Sequence, residues 1–208
     1  MKAKAPYLLK LVFPQLIWEV KTGRKEIFLS FDDGPHPEIT ARVLDILDNY
    51  QAKATFFCVG HNVKKFPETY REILSRGHKT ANHSFNHLNG WKTPSQIYYN
   101  NIEKCASLVD SKLFRPPYGR ISLKQIAHLK KKYSIMMWSV LSMDYSKKIS
   151  PEQCLTNSIT YTKPGSIVVF HDSKKASENM LYALPGFLDH FKKRGYNFVV
   201  IPTTMPEL

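Results

Sequence analysis

The stretch IFLSFDDGPHPEITARVLDILDNY at 27–50 carries two periodicities in succession. Ile27–Phe31 is short and almost wholly apolar, the pattern of a strand covered on both faces. Beyond the polar break at 32–36, Ile39, Val43, Leu44, Ile46 and Leu47 form an apolar stripe at helical spacing between Pro37 and Tyr50. Pro37 suits a first helical turn, because its missing N–H has no partner there anyway. Together these make one βα unit.

The same alternation continues along the chain. Strands are expected over Ala54–Val59, His78–Asn82, Leu113–Arg115, Ser134–Val140, Ser166–Phe170 and Asn197–Ile201. Helical segments are expected over Asn62–Arg76, Pro94–Val109, Ser122–Lys132, Pro151–Tyr161 and Leu181–Arg194, the last ended by Gly195 after Lys192, Lys193 and Arg194. Strand–helix alternation at this spacing predicts a parallel sheet. Seven such strands in 208 residues fit a small, incomplete (β/α) barrel better than two domains, so a single domain over 1–208 is expected.

Apolar residues make up 43% of the chain and charged residues 23%, enough to bury a core and too apolar for global disorder. Thirty Lys and Arg against 17 Asp and Glu leave a net charge of +13, a surface that attracts an anionic surface or polymer. No RNP-like, zinc-finger or helix-turn-helix pattern accompanies the charge, so nucleic acid is not the expected partner. Cys58, Cys105 and Cys154 are odd in number and show no CxxC spacing, which argues against a disulfide framework and a Cys-based zinc site; free buried thiols are expected. The apolar patch Leu8–Val20 is interrupted by Lys10, Pro14, Gln15 and Glu19, too often to span a bilayer or to serve as a signal sequence. The chain thus reads as soluble, without a transmembrane segment or a visible export signal, in the cytoplasm or peripheral to a membrane.

Polar residues that suit no structural purpose gather after the expected strands, where parallel barrels place catalytic groups. Asp32–Asp33–Gly34–Pro35 follows the first strand; it reads equally as a turn or as a carboxylate pair whose mutual repulsion needs a cation or a division of labour. His83 and His87, after the third, are spaced i,i+4, which on a helical turn would let them share a metal ion. A carboxylate from another strand end would complete a site open to water and substrate, a catalytic rather than a structural arrangement. Arg115–Pro116–Pro117–Tyr118–Gly119 is a stiff loop that could present the Tyr118 N–H to an oxyanion, and His171 ends the apolar run IVVF at 167–170.

Taken together, SFDDGP at 30–35, HSFNH at 83–87, RPPYG at 115–119 and VVFHDS at 168–173 resemble, in order, the motifs of the polysaccharide deacetylase (NodB-homology) family, carbohydrate esterase family 4. WSVLSMDYS at 138–146 resembles a degraded fourth motif, and the resemblance spans roughly residues 26–201. It implies the distorted barrel of that family and metal-dependent hydrolysis of an amide, usually the N-acetyl group of an amino sugar in a glycan. Asp32 would be the general base; Asp33, His83 and His87 would hold one divalent ion, zinc before cobalt, nickel or manganese. Arg115 would orient Asp32, the Tyr118 N–H would stabilise the oxyanion, and His171 would be the general acid. Trp138 would line the substrate pocket or belong to the core.

Leu141 stands where many members carry an Asp that tunes the acid histidine. Either another group orients His171, with Asp144 and Asp172 the first to consider, or the acid step is weaker and the substrate differs from the usual glycans; Asp144 otherwise reads as a structural support. Relatives hydrolyse glycans, lipid-linked amino sugars and small amides, and are often extracytoplasmic. The alternatives are a catalytically silent carbohydrate- or metal-binding member, against which the intact set of Asp32, Asp33, His83, His87 and His171 speaks, and a deformylase or small-amide hydrolase of the same family.

Overall fold

A computed structural model describes residues 3–203. Its elements in chain order are α1 (Tyr7–Val12), β1 (Glu26–Asp32), α2 (Pro37–Asn49), β2 (Thr55–Cys58), α3 (Gly60–Lys65), α4 (Pro67–Ser75), β3 (Lys79–Asn82) and α5 (Ser95–Ala106). There follow β4 (Leu113–Phe114), α6 (Leu123–Leu129), β5 (Ser134–Ile135), β6 (Val140–Leu141), α7 (Pro151–Thr160), β7 (Ile167–His171), α8 (Ser177–Lys192) and β8 (Asn197–Val199).

The strands form one sheet in the order β5-β4-β3-β2-β1-β7-β6, with β8 beside the first half of β1. Every pairing is parallel. The sheet does not close between β5 and β6. The N-terminal segment fills that gap, Ile17 bridging to Met136 and Glu19 to Ser166. This is the expected incomplete barrel, with eight strands among the described residues where about seven were expected. The run 134–140 yields two of them, because Met136 and Met137 turn to the N-terminal segment: the Met137 N–H bonds the Ile17 carbonyl at 2.7 Å.

β1 sits in the middle, and Ile27, Leu29 and Phe31 are fully buried, as a strand covered on both faces requires. The helical stripe of α2 buries Ile39, Val43, Leu44 and Leu47 against it. The helix expected over 62–76 breaks in two at Pro67, which lacks an amide proton and holds Phe66 out of helical geometry at φ −128°, ψ 60°. The last helix begins at Ser177, earlier than its apolar stripe suggested, and carries Pro185 inside it. All three cysteines are free and buried, and burial raises their thiol pKa values, Cys105 to about 12. Among the described residues no helix is long and apolar enough to cross a membrane.

Candidate active site

The motif residues converge because their strands are parallel neighbours and each motif lies at a strand's C-terminal end. Asp32 and His171 close β1 and β7 and pair in register; His83 follows β3 and Arg115 follows β4. Asp32, Asp33, His83, His87, Tyr118, Trp138, Leu141, Tyr145 and His171 line a pocket of about 160 Å³, and Arg115 lies buried behind Asp32.

The two adjacent aspartates have different surroundings. Asp32 is 4% exposed and receives a 2.6 Å bond from the Arg115 guanidinium. Arg115 is fully buried; it also donates to Ser30 Oγ (2.9 Å) and the Met137 carbonyl (3.2 Å) and lies 3.9 Å from the Phe57 ring centroid. Those bonds fix the guanidinium, so Asp32 is held in one position. Asp33 turns the other way, its φ of 81° aiming it at the histidines, with Oδ1 3.1 Å from His87 Nε2 and 3.7 Å from His83 Nε2. Burial alone would raise its pKa; the imidazoles of His87, His171 and His83 outweigh that and hold the carboxyl well below the usual range.

His83 and His87 do not meet on a helical turn, as their spacing suggested. The loop between them is irregular, with Ser84 (φ 62°) and His87 (φ 54°) left-handed and the ring centroids 5.0 Å apart. Side chains shape it: Asn101 Oδ1 accepts the N–H groups of Phe85 and Asn86, and Asn82 Oδ1 accepts that of Ser84. His83 Nδ1 donates to the Arg115 carbonyl (2.8 Å), which leaves the Nε2 lone pair towards Asp33. Burial pushes the His83 pKa down to about 4, so the ring is a neutral donor. Ligand atoms of Asp33, His83 and His87 all lie within 4.8 Å of one another. One carboxylate and two imidazoles, one with its tautomer fixed from outside, suit a divalent ion and leave positions open to water and substrate.

Strained backbone collects around the pocket. Of the six non-glycine residues at positive φ among the described residues, Asp33, Ser84, His87, Tyr118 and Met143 lie in the motif segments and Gln51 lies elsewhere. Two glycines allow close approach. A Cβ on Gly34 would fall 2.0 Å from Asp172 Oδ2, and one on Gly119 would fall 2.6 Å from the Trp138 ring. Trp138 therefore serves both expectations, lining the pocket and packing against the core.

Of the two readings that Leu141 left open, the structure supports the first, in which another group orients His171. Leu141 is buried in the pocket wall, and His171 has its carboxylate from Asp144 instead. His171 Nδ1 donates to Asp144 Oδ1 at 2.7 Å, and the His171 amide donates to Oδ2 at 2.7 Å. Asn179 Nδ2 holds the Asp144 carbonyl (3.0 Å), and the Tyr145 ring stands edge-on 5.0 Å from the imidazole. Burial would lower the His171 pKa; the charge and hydrogen bond of Asp144 prevail and push it up to about 9. Asp144 was legible as one of two carboxylates that could replace the missing Asp, but not as the one that does, because the contact spans 27 residues of sequence.

Asp172, the other carboxylate considered as the partner of His171, is instead buried beneath the DDGP loop, where its carboxylate accepts the Gly34 N–H (3.0 Å) and the Thr40 hydroxyl (2.6 Å). His78 is structural, accepting the Ala54 N–H at Nδ1 (3.2 Å).

The family model described as polysaccharide deacetylase matches residues 19–136. The chain belongs to that family. A peptidoglycan-N-acetylglucosamine deacetylase of Bacillus cereus is 34% identical over 194 residues, covering 88% of this chain and 90% of its own. A chitooligosaccharide deacetylase of Azorhizobium caulinodans is 31% identical over 178 residues, 80% of this chain and 83% of its own. A crystal structure of a peptidoglycan N-acetylglucosamine deacetylase bound to an N-hydroxybenzamide superposes with a TM-score of 0.88 at 30% identity, covering 97% of both chains. This chain is accordingly a hydrolase of the carbohydrate esterase 4 group with the distorted barrel of that family.

Proposed function

We propose that this chain removes the N-acetyl group from N-acetylglucosamine units of a glycan, with one divalent ion, zinc first, held by Asp33, His83 and His87. The observation that carries the reading is the division of the paired carboxylates. Asp33 faces two imidazoles, and Asp32 is paired separately with a fully buried arginine. The ion supplies Lewis acidity to water and to the acyl carbonyl when bound. Asp32, held by Arg115, accepts the proton of the attacking water. Tyr118, on a loop stiffened by Pro116 and Pro117, donates its N–H to the oxyanion.

His171 donates the proton that lets the amine leave. With Nδ1 committed to Asp144, Nε2 is the atom left for that transfer, and the raised pKa keeps it protonated at neutral pH. The net charge of +13 suits a glycan with anionic groups or an anionic polymer nearby. The test is acetate release from N-acetylglucosamine oligomers and from peptidoglycan by the metal-supplemented protein, abolished by a chelator and restored by zinc. No acetate from either, in a folded and metal-loaded protein, overturns the reading.

A further inference from the structure

Asp33 faces the two histidines with its backbone in the left-handed region, at φ 81°. A residue with a side chain persists there only where its surroundings over-determine it. What fixes Asp33 is a grip on both peptide groups that flank it. In the group before it, the Asp32 carbonyl accepts the Asp172 N–H at 3.1 Å. The group after it, between Asp33 and Gly34, is held at both ends. Asn62 Nδ2 donates to the Asp33 carbonyl at 2.8 Å, and the Gly34 N–H donates to Asp172 Oδ1 at 3.0 Å. Each peptide group is planar, so fixing the two planes fixes φ and ψ between them, and with them the direction of the Asp33 side chain. Asp172 is itself held. Its Oδ2 accepts the hydroxyl of Thr40, fully buried on α2, at 2.6 Å, and the Thr40 oxygen in turn accepts the His36 N–H at 2.8 Å. Asn62 reaches in from α3. None of the three lines the catalytic pocket, and Asp32 is positioned independently of them by Arg115.

We infer that Asn62, Thr40 and Asp172 are positioning residues for the divalent ion: they lock the peptide between Asp33 and Gly34 so that the Asp33 carboxylate meets His83 and His87 before any ion arrives. The inference rests on the metal assignment made above and extends it to three residues that supply no ligand atom. Without the grip, Asp33 is free to return to negative φ, which turns its carboxylate away from the imidazoles. The ion then has to order the loop as it binds, and the cost appears in affinity. Groups that orient a metal ligand from outside are worth about 10–100-fold in metal affinity.

The experiment measures zinc affinity of the full chain by competition with a chromophoric chelator. Asn62→Ala, at a half-buried position of α3, should weaken zinc binding about 10–100-fold. Thr40→Val removes the hydroxyl at nearly constant volume and should weaken it too, whereas Thr40→Ser keeps the hydroxyl and should bind zinc as the wild type does. Asn62→Ala decides the matter if the Thr40→Val chain misfolds. Ile73→Val trims the buried core at α4 and lowers stability, yet should leave zinc affinity within about twofold. At saturating zinc, acetate release by Asn62→Ala should fall only a few-fold, because Arg115 still holds Asp32. Unchanged zinc affinity in folded Asn62→Ala, an equal loss in Ile73→Val, or a Thr40→Ser chain as weak as Thr40→Val overturns the inference. Zinc affinity is read without substrate, so the expected pattern in a chain that releases no acetate supports the inference and counts against the deacetylase reading alone. A wild type without zinc affinity overturns both.

Discussion

Asp144→Asn removes the charge that sets the protonation of His171 and keeps nearly the same volume. In the wild type, the bond from His171 Nδ1 to Asp144 Oδ1 and the charge behind it push the imidazole pKa up to about 9 despite its burial. At pH 8 about nine-tenths of such a histidine carries its proton, against about 3% at the ordinary 6.5. The variant should therefore lose roughly 30-fold in kcat/KM at pH 8, and more if burial takes the pKa below 6.5. At pH 6 the loss should be only a few-fold. The assay is kcat/KM against pH from 5.5 to 10 on an N-acetylglucosamine oligomer, at fixed and saturating metal. The alkaline limb should move from near 9 to 6.5 or lower. The same shift has a stability counterpart: the folded pKa of His171 lies above the unfolded one. The pair's contribution is then complete below about 6.5 and lost as pH rises through about 9. Asp144→Asn should lower Tm more at pH 6 than at pH 10. An alkaline limb unmoved in a folded, metal-loaded variant would refute the reasoning and remove His171 as the acid whose ionisation limits the rate.

Leu141→Asp should leave the alkaline limb where it is, because Asp144 already occupies both hydrogen-bonding positions of His171 that face it; an upward shift in the rate profile would contradict this. Arg115→Met strands the Asp32 carboxylate in a buried site, and urea unfolding should show a loss of about 3–5 kcal/mol. Gln51 is exposed, follows α2 at φ 49°, and lies between the amide bonds that close that helix, so Gln51→Gly should raise stability by about 0.5–1 kcal/mol in the same assay.

The sequence was most readable where function and local order coincide. Asp32, Asp33, His83, Arg115 and His171 each sit within a residue of a strand end, and His87 lies five residues beyond β3, so four short runs sufficed to single them out. Continuous apolar runs such as 167–170 located the strands for the same reason, since a parallel sheet buries both faces. Features made by distant contacts were hidden. The pairing of Asp144 with His171 joins the loop after β6 to the end of β7, and no local pattern marks it. The split of 134–140 depends on Ile17 across the barrel gap, and Leu8–Val20 carries no regular period because it serves as a seam rather than as a strand. The spacing of His83 and His87 predicted that their rings would meet, as they do, but implied the wrong backbone, since side-chain bonds from Asn82 and Asn101 replace the helical turn.

The division of labour between Asp32 and Asp33 is tested most directly by measuring metal content and hydrolytic rate together in Asp32→Asn and His83→Ala. Elemental analysis should find about one divalent ion per chain in the wild type and in Asp32→Asn, and little in His83→Ala. Acetate release should fall roughly 10²–10⁴-fold in Asp32→Asn although its metal is retained. Loss of metal in step with rate in Asp32→Asn, or full metal in His83→Ala, would contradict the account.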